Sequence, residues 1–285
     1  MISLFKQIFL YTILIIFIFL ASIIYINMHP NKIHSKITPS DFGVMYNNIS
    51  FYNKDHQLLK GWFIPSKNKN ANTIILLHGY GADKGNILPT RIFLHEKYNL
   101  LFFDFHYFGE SEGSSTTIGI KETDDLKAAI DYLHTRGINK VGVWGLSMGA
   151  AVAFVGASEM KEITAIVAES SYARLDMMAD RYSSNPWIKS LLRSFFRLYC
   201  QIVYGINLKI ESPMDAAKRL TIPVLLVHSK DDSFIPFYQA QLIEDNLKNN
   251  PHAQFVITEH LNHSEFCPGL KKIILNFFDK AFDKK

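Results

Sequence analysis

Short apolar runs alternate with amphipathic segments along most of the chain. The runs are rich in branched and aromatic residues, and most are apolar at every position, which is typical of strands covered by helices on both faces. The predicted strands are Leu59 to Ile64, Thr73 to Leu77, Leu100 to Phe105, Val141 to Trp144, Ile163 to Ala168, Val224 to His228 and Phe255 to Thr258. The helical period predicts helices at Lys84 to Lys97, Lys121 to His134, Met148 to Met160, Pro236 to Leu247 and Leu270 to Phe282. This alternation predicts an α/β fold built on a mainly parallel sheet.

One interval breaks the alternation. Arg174 to Leu220 contains no strand-like run but has helical stretches, the longest being Trp187 to Tyr204. We therefore expect a helical cap at about residues 174–220, over the ends of the strands. In its long helix Lys189, Arg193 and Arg197 recur every four residues beside an apolar stripe. Such a helix either lies on an anionic membrane surface or packs on the domain with its basic row solvated.

The N-terminal segment has a different pattern. Ile8 to Ile26 is almost wholly apolar and about long enough to cross a bilayer, and no Lys, Arg, Asp or Glu occurs from Gln7 to Asn31. A cleaved signal peptide is the alternative, but bulky Ile23 to Ile26 follow the small residues at positions 21 and 22, which argues against cleavage there. The pattern favours a retained membrane anchor.

The domain organisation follows from this anchor. We expect the anchor at residues 1–30, a polar, proline-containing tether at 31–41 and a folded domain at 42–285. Lys6 precedes the span and Lys32 and Lys36 follow it, so basic residues hardly bias its orientation. A first span with a long soluble domain behind it favours an extracytoplasmic position for that domain.

Composition excludes several classes of protein. The 285 residues are 48% hydrophobic and 20% charged, which is a globular balance. The net charge of +4 comes from scattered basic residues, so nucleic acid is not an expected partner. Two cysteines, Cys200 and Cys267, cannot build a disulfide framework or a cysteine-rich zinc site, and the sequence has no His-Glu-x-x-His pair.

The strongest chemical signal is Ser147, within Gly145-Leu146-Ser147-Met148-Gly149. A predicted strand precedes it and a predicted helix that begins with small residues follows it. A serine in a sharp strand-to-helix turn needs small neighbours because the chain there is strained and closely packed. This context predicts a nucleophile, although the pentapeptide alone occurs by chance.

A serine hydroxyl needs a base to take its proton and an acid to orient that base. Asp231 and Asp232 follow the predicted strand that ends at His228, and His263 follows the last strand, in the order Ser, Asp, His. We predict Asp232 as the acid, because it lies at the loop apex before Pro236, and keep Asp231 as the alternative. Among the histidines we predict His263, with His260 as the alternative.

The negative oxygen of the reaction intermediate needs hydrogen-bond donors. One is expected from the backbone N–H of Met148, directly after the nucleophile. The other is expected from the loop Leu76-Leu77-His78-Gly79-Tyr80-Gly81, where we predict the backbone N–H of Tyr80.

These residues resemble a known family. From about Met45 onward the chain resembles the α/β-hydrolases, and among them it is similar to the Bem46-like serine hydrolases. The matching segments are LLHGYGADKGN, FFDFHYFGESEG, GVWGLSMGAA, ESPMDAAKRL and HSKDDSFIP, followed by His263. The resemblance implies an eight-stranded, mostly parallel sheet, a triad of Ser147, Asp232 and His263, and hydrolysis of an acyl bond without metal or organic cofactor. One departure is His106, which stands where relatives often have arginine.

We therefore expect a membrane-anchored serine hydrolase that cleaves an acyl ester. The substrate would be a lipid if the cap helix lies on the membrane, and a smaller ester or amide is equally compatible if it does not. A peptidase or amidase of the same fold is one alternative, and a non-catalytic binding or adaptor protein that retains the fold is another. The sequence does not specify the oligomeric state.

Overall fold

A computed structural model describes residues 2–68, 70–208 and 212–283. Met1 of the predicted anchor, residues 209–211 of the predicted cap and the last two residues of the chain lie outside the described residues. Glu211, the first residue of the ESPMDAAKRL segment, is among them.

Eight strands form one sheet in the described part of the chain, in the order β1-β2-β4-β3-β5-β6-β7-β8. β2 pairs antiparallel with β1 and β4, and the remaining pairs are parallel. The strands are β1 (Asn47–Tyr52), β2 (Leu58–Ile64), β3 (Thr73–Leu77), β4 (Asn99–Phe103), β5 (Val141–Leu146), β6 (Ile163–Glu169), β7 (Val224–Ser229) and β8 (Ala253–Thr258). This arrangement confirms the predicted mostly parallel, eight-stranded α/β fold.

Helices cover both faces of the sheet. They are α1 (Ile2–Met28), α2 (Lys84–Arg91), α3 (Glu122–His134), α4 (Met148–Glu159), α5 (Pro186–Tyr204), α6 (Pro213–Ala217), α7 (Phe237–Leu247) and α8 (Leu270–Asp283). On one face α3 and α4 pack on the sheet through residues such as Leu126 and Phe154. On the other face α8 packs through Ile274 and Phe278. The central strands are therefore buried on both sides, which explains their continuous apolar runs.

Three local predictions were wrong. β1 was missed because it is an antiparallel edge strand that starts with two asparagines and is half exposed. The helix predicted at Lys84 to Lys97 ends at Arg91 and continues as a 3-10 turn, Ile92–Glu96, a tightening that periodicity does not reveal. The strand predicted to reach Phe105 ends at Phe103, since Asp104 and Phe105 belong to the following loop.

α1 is the long apolar helix at the N-terminal end. Its segment Leu4–Met28 has a mean hydropathy of 2.7, enough by length and composition for a membrane anchor or a signal sequence. Most of α1 is exposed, but Ile24 and Met28 near its C-terminal end are buried against the domain. The segment after α1 is also held: the N–H of Ser35 donates to Oδ2 of Asp83 at 2.6 Å.

Candidate active site

Ser147 occupies a strained turn between β5 and α4. Its φ of 54° and ψ of −114° lie outside the regions that L-residues usually adopt. A Cβ on Gly149 would lie 2.6 Å from the carbonyl oxygen of Leu77, and one on Gly145 would collide with the carbonyl of Gly149. Both glycines are therefore required for the turn to pack against the end of β3.

Hydrogen bonds connect the hydroxyl of Ser147 to its two predicted partners, His263 and Asp232. Nε2 of His263 lies 3.0 Å from Oγ of Ser147, and Nδ1 of His263 lies 2.7 Å from Oδ2 of Asp232. His263 belongs to the loop after β8, and Asp232 to the loop after β7, so adjacent parallel strands deliver both side chains to the same edge of the sheet. With Nδ1–H donated to the carboxylate, Nε2 is the nitrogen left to accept a proton from the hydroxyl.

The loop around Asp232 favours its ionised form. Oδ1 accepts the backbone N–H groups of Phe234 and Ile235, at 2.9 and 2.8 Å, while Oδ2 receives His263. Burial by itself opposes the charge, but the hydrogen bonds from His263 and the two N–H groups outweigh it and lower the pKa of Asp232. Asp232 therefore remains a carboxylate that can orient the imidazole.

The two alternative candidates interact with each other instead. The backbone N–H of His260 donates to Oδ2 of Asp231 at 2.7 Å. Their side chains are 92% and 55% exposed, respectively, and lie at the surface. This pairing fastens the loop after β7 to the loop after β8, and it places neither side chain at Ser147.

The loop after β3 lies directly against Ser147. A Cβ on Gly79 would be 3.3 Å from Cβ of Ser147, so this glycine keeps the loop close. In the described part of the chain, the backbone N–H groups of Tyr80 and Met148 donate no hydrogen bond. They are therefore free to bind a negative oxygen formed beside Ser147.

His78 holds this loop in place. Nδ1 of His78 donates to the carbonyl oxygen of Gly79 at 2.8 Å, and Nε2 accepts the N–H of Phe105 at 3.1 Å. Burial lowers the pKa of His78, which keeps it neutral and able to make both bonds. His78 lies within the loop that the sequence analysis identified, but the pattern did not indicate that its imidazole connects two loops.

Sequence reasoning missed a buried network of side chains that supports the turn at Ser147. Nη2 of Arg91 lies 2.5 Å from Oε2 of Glu169, and the Trp144 Nε1–H donates to the same oxygen at 3.2 Å. The guanidinium also stacks over the Trp144 ring, 3.8 Å from its centroid. The backbone carbonyl of Glu169 accepts the N–H of Ser147 at 2.7 Å, which connects this network to Ser147.

Sequence reasoning also missed His228, whose imidazole lies next to Asp232. Its Nε2 donates to the carbonyl of Ile235 at 3.0 Å and lies 3.8 Å from Oδ2 of Asp232. Burial lowers the pKa of His228, so it is neutral beside the carboxylate. Its position at the end of a buried strand gave no sign of this proximity.

His106, where the resemblance led us to expect arginine, lies buried between two carboxylates. Its Nδ1 lies 2.6 Å from Oδ2 of Asp125, and its Nε2 lies 3.6 Å from Oε1 of Glu122. Burial works against the charge, but Glu122, Asp125 and the hydrogen bond to Asp125 raise the pKa of His106 to about 9. The raised pKa favours a positively charged imidazole at this position.

Ser147 opens into a cavity of about 560 Å³. Most of its lining is apolar, and Arg181 is the one charged residue among the described side chains that line it. The volume is within the range of pockets that enclose small organic ligands. An apolar space beside a nucleophile fits a substrate with a hydrocarbon part.

Residues 112–285 match the pattern of the prolyl oligopeptidase family. The chain belongs to that family. It is therefore a hydrolase of the α/β fold, as expected from the matching segments, and the Bem46-like grouping is consistent with its relatives.

Similar proteins span most of the chain. YqkD of Bacillus subtilis is 26% identical over 79% of this chain and 76% of its own length. The esterase Pf2001 of Pyrococcus furiosus has a solved structure with a TM-score of 0.73 and 29% identity, covering 88% of this chain and 98% of that one. The lysophosphatidylserine lipase ABHD12 of Xenopus tropicalis is 24% identical over 62% of this chain, which matches 47% of that longer protein.

Proposed function

We propose that the protein is a membrane-anchored serine hydrolase that cleaves acyl esters through an acyl-enzyme on Ser147. The observation that carries this proposal is the continuous hydrogen-bonded chain from Ser147 through His263 to Asp232. A nucleophile, a base and an orienting acid in this order are what acyl transfer requires. A pure binding role explains neither this chain nor the strained turn that presents the hydroxyl.

The first half of the reaction forms the acyl-enzyme. Oγ of Ser147 attacks the ester carbonyl carbon while Nε2 of His263 takes the hydroxyl proton, and the carbonyl oxygen becomes negative. The backbone N–H groups of Tyr80 and Met148 bind that oxygen. The intermediate then collapses, the bond to the alcohol oxygen breaks, and His263 returns the proton to the leaving alcohol.

The second half of the reaction releases the carboxylic acid product. His263 takes a proton from a water molecule, whose oxygen attacks the acyl carbon of the ester on Ser147. A second negative oxygen forms at the same two N–H groups. Its collapse breaks the bond to Oγ, and the proton returns from His263 to Ser147. Asp232 stabilises the imidazolium in both halves by accepting the Nδ1–H.

An ester is favoured over a peptide because of the site's surroundings. The cavity is mainly apolar and has few groups that could bind the successive N–H and C=O groups of a peptide. The names of two relatives, an esterase and a lysophosphatidylserine lipase, support the same substrate class.

The membrane part of the proposal rests on α1. We propose that it is retained as an anchor at residues 1–30, with a connecting segment at 31–41 and the hydrolase domain at 42–285. We propose that residues 174–220, which include α5, form a cap over Ser147; the structure describes 174–208 and 212–220 of this range. We propose that the hydrolase domain lies on the extracytoplasmic side, as a first span followed by a long soluble domain favours.

The test is a panel of esters, thioesters and amides with matched acyl groups, assayed on the full chain in vesicles. Wild-type protein is expected to hydrolyse the esters, and Ser147→Ala to lose this activity. Ser158→Ala removes a hydroxyl from the solvent side of α4 and is the matched control, expected to keep it. Faster cleavage of the amides than of the esters would favour a peptidase, and activity in Ser147→Ala equal to wild type would reject the acyl-enzyme.

A further inference from the structure

The N-terminal helix forms one wall of the cavity at Ser147. Four apolar residues from its C-terminal part line the space, namely Phe19, Leu20, Ile23 and Ile24. Four residues of α5 also line the cavity, namely Ile188, Leu192, Phe195 and Phe196. The helix expected to anchor the protein in a membrane therefore also forms part of the wall of the cavity that a substrate would occupy.

α1 is fastened to the domain at this end. The hydroxyl of Tyr80 donates to the carbonyl oxygen of Asn27 at 2.9 Å, and the N–H of Thr116 donates to that of Met28 at 2.9 Å. Met28 is fully buried. Tyr80 belongs to the loop beside the nucleophile, so the helix end and the proposed oxyanion-binding loop are held in a fixed relation.

Aromatic rings connect α1, and the residue that follows it, to α5. The ring of Phe17 packs on Phe195 with centroids 5.4 Å apart, and the ring of His29 lies 6.3 Å from that of Tyr204. Both helices contribute residues to the lining of the cavity, and Ser147 lines it as well.

The thickness of a bilayer places this cavity close to the lipid. Lys6 bounds the charge-free run of α1, and Ile8 to Ile16 is exposed before the contact with α5 begins at Phe17. Nine helical residues span about 14 Å, roughly half of the hydrocarbon thickness. A bilayer that accommodates α1 must therefore extend beside α5 and the outer part of the cavity.

The residues on the outer surface of α5 are compatible with a position beside the bilayer. Trp187, Leu191, Leu198 and Ile202 are all more than half exposed, and they recur along one side of the helix. Two of its basic residues are neutralised from within the cap, because Arg193 pairs with Asp180 and Arg197 with Asp176. Paired charges are less costly to place near an apolar phase than free ones. These two arginines are therefore paired within the cap and remain only partly exposed.

We propose that the space between α1 and α5 is the acyl-chain site, and that it takes the hydrocarbon chain of an ester lipid already present in the bilayer. This inference rests on the proposed function, because the chain must lead to a carbonyl at Ser147. The lipid enters sideways between the two helices, and α1 acts as a substrate-binding element in addition to an anchor.

Matched tryptophan substitutions on each helix test the site. Ile23→Trp and Leu192→Trp fill the cavity, whereas Ile26→Trp and Leu191→Trp place the same ring on exposed faces of the same helices. The measured quantity is kcat/KM for a dodecanoyl ester divided by that for a butanoyl ester, on full-length protein in phosphatidylcholine vesicles. We expect the two cavity variants to lower this ratio about tenfold, the effect of losing the burial of about two methylene groups, while the controls keep it. An equal ratio in all four variants and wild type would overturn the proposal.

A chain-end photoprobe on the wild-type protein gives a result that is independent of folding in the variants. A dodecyl fluorophosphonate with a terminal diazirine is attached to Ser147 and then irradiated, and the crosslinked peptide is identified by mass spectrometry. The expected crosslinks lie in residues 19–27 of α1 or 188–196 of α5. Crosslinks confined to other segments would overturn the acyl-chain site while leaving the nucleophile intact. Failure of the probe to attach to Ser147 would instead overturn the proposed function.

Discussion

Oδ2 of Asp232 lies 2.7 Å from Nδ1 of His263, and the adjacent Asp231 lies outside this contact. The two aspartates differ by one position in the loop after β7, yet one is buried against the base and the other is exposed and bound to the backbone of His260. The loop geometry therefore separates two carboxylates that are equivalent in the sequence pattern.

Replacement of each aspartate by asparagine should separate their roles. Asp232→Asn retains the shape of the side chain but loses the charge that stabilises the imidazolium, so we expect kcat for an ester to fall by about 10³- to 10⁴-fold, as it does for the equivalent aspartate in serine proteases. Asp231→Asn should retain kcat within about threefold, since surface substitutions of this kind have small effects. Steady-state kinetics on the two variants make the comparison, and the larger loss in Asp231→Asn would reverse the assignment.

A methyl group at Gly149 should damage the turn. Gly149→Ala places Cβ 2.6 Å from the carbonyl oxygen of Leu77 and 2.7 Å from that of His78, so α4 must move away from the proposed oxyanion-binding loop. A displacement of about 1 Å costs about 10²-fold in rate, and the overpacking costs about 1–3 kcal/mol of stability. Gly269→Ala is the control, because its Cβ would meet only the sulfur of Cys267 at 3.7 Å. Equal activity in the two variants would show that the turn tolerates a side chain.

The buried pair of Arg91 and Glu169 should be sensitive to the loss of one partner. Arg91→Met leaves the carboxylate of Glu169 buried with only the Trp144 N–H, and we expect a loss of about 3–5 kcal/mol in the free energy of unfolding. The double variant Arg91→Met/Glu169→Gln removes the unpaired charge and should recover part of this loss. Denaturant unfolding in detergent measures both, and a double variant less stable than Arg91→Met would contradict the explanation.

The charge on His106 should make stability depend on pH. Because its pKa is raised to about 9 from an unfolded value of about 6.5, its contribution is complete below about pH 6.5 and is lost as the pH rises through about 9. His106→Gln should therefore lower the melting temperature most near pH 6, and the difference from wild type should shrink near pH 10. A difference that stays constant between these values would show that the imidazole acts without its charge.

The sequence was sufficient for the features that depend on neighbouring residues. Thr73–Leu77 is continuous in hydrophobicity because both of its faces are buried, and the pattern predicted its bounds as the structure has them. Ser147 was found because a strand, two glycines and a helix occur in immediate succession. His263 and Asp232 followed from the order of the strands, since parallel strands bring their ends to one edge.

Features that depend on distant packing were not predictable. Arg91 and Glu169 are 78 positions apart, and nothing in either local pattern indicates that they pair. α1 was recognised by its length and hydropathy, but its contact with α5 comes from the packing of two apolar surfaces. An apolar helix face has the same sequence pattern whether it meets lipid, protein or a substrate cavity.

Covalent labelling of the serine tests the central claim most directly. Full-length protein in membranes is treated with a fluorophosphonate, and the modified peptide is located by mass spectrometry. The account predicts that wild type is labelled at Ser147, that Ser147→Ala is not labelled, and that Ser158→Ala is labelled like wild type. Wild-type protein that resists the reagent, or Ser147→Ala labelled to the same extent as wild type, would contradict it.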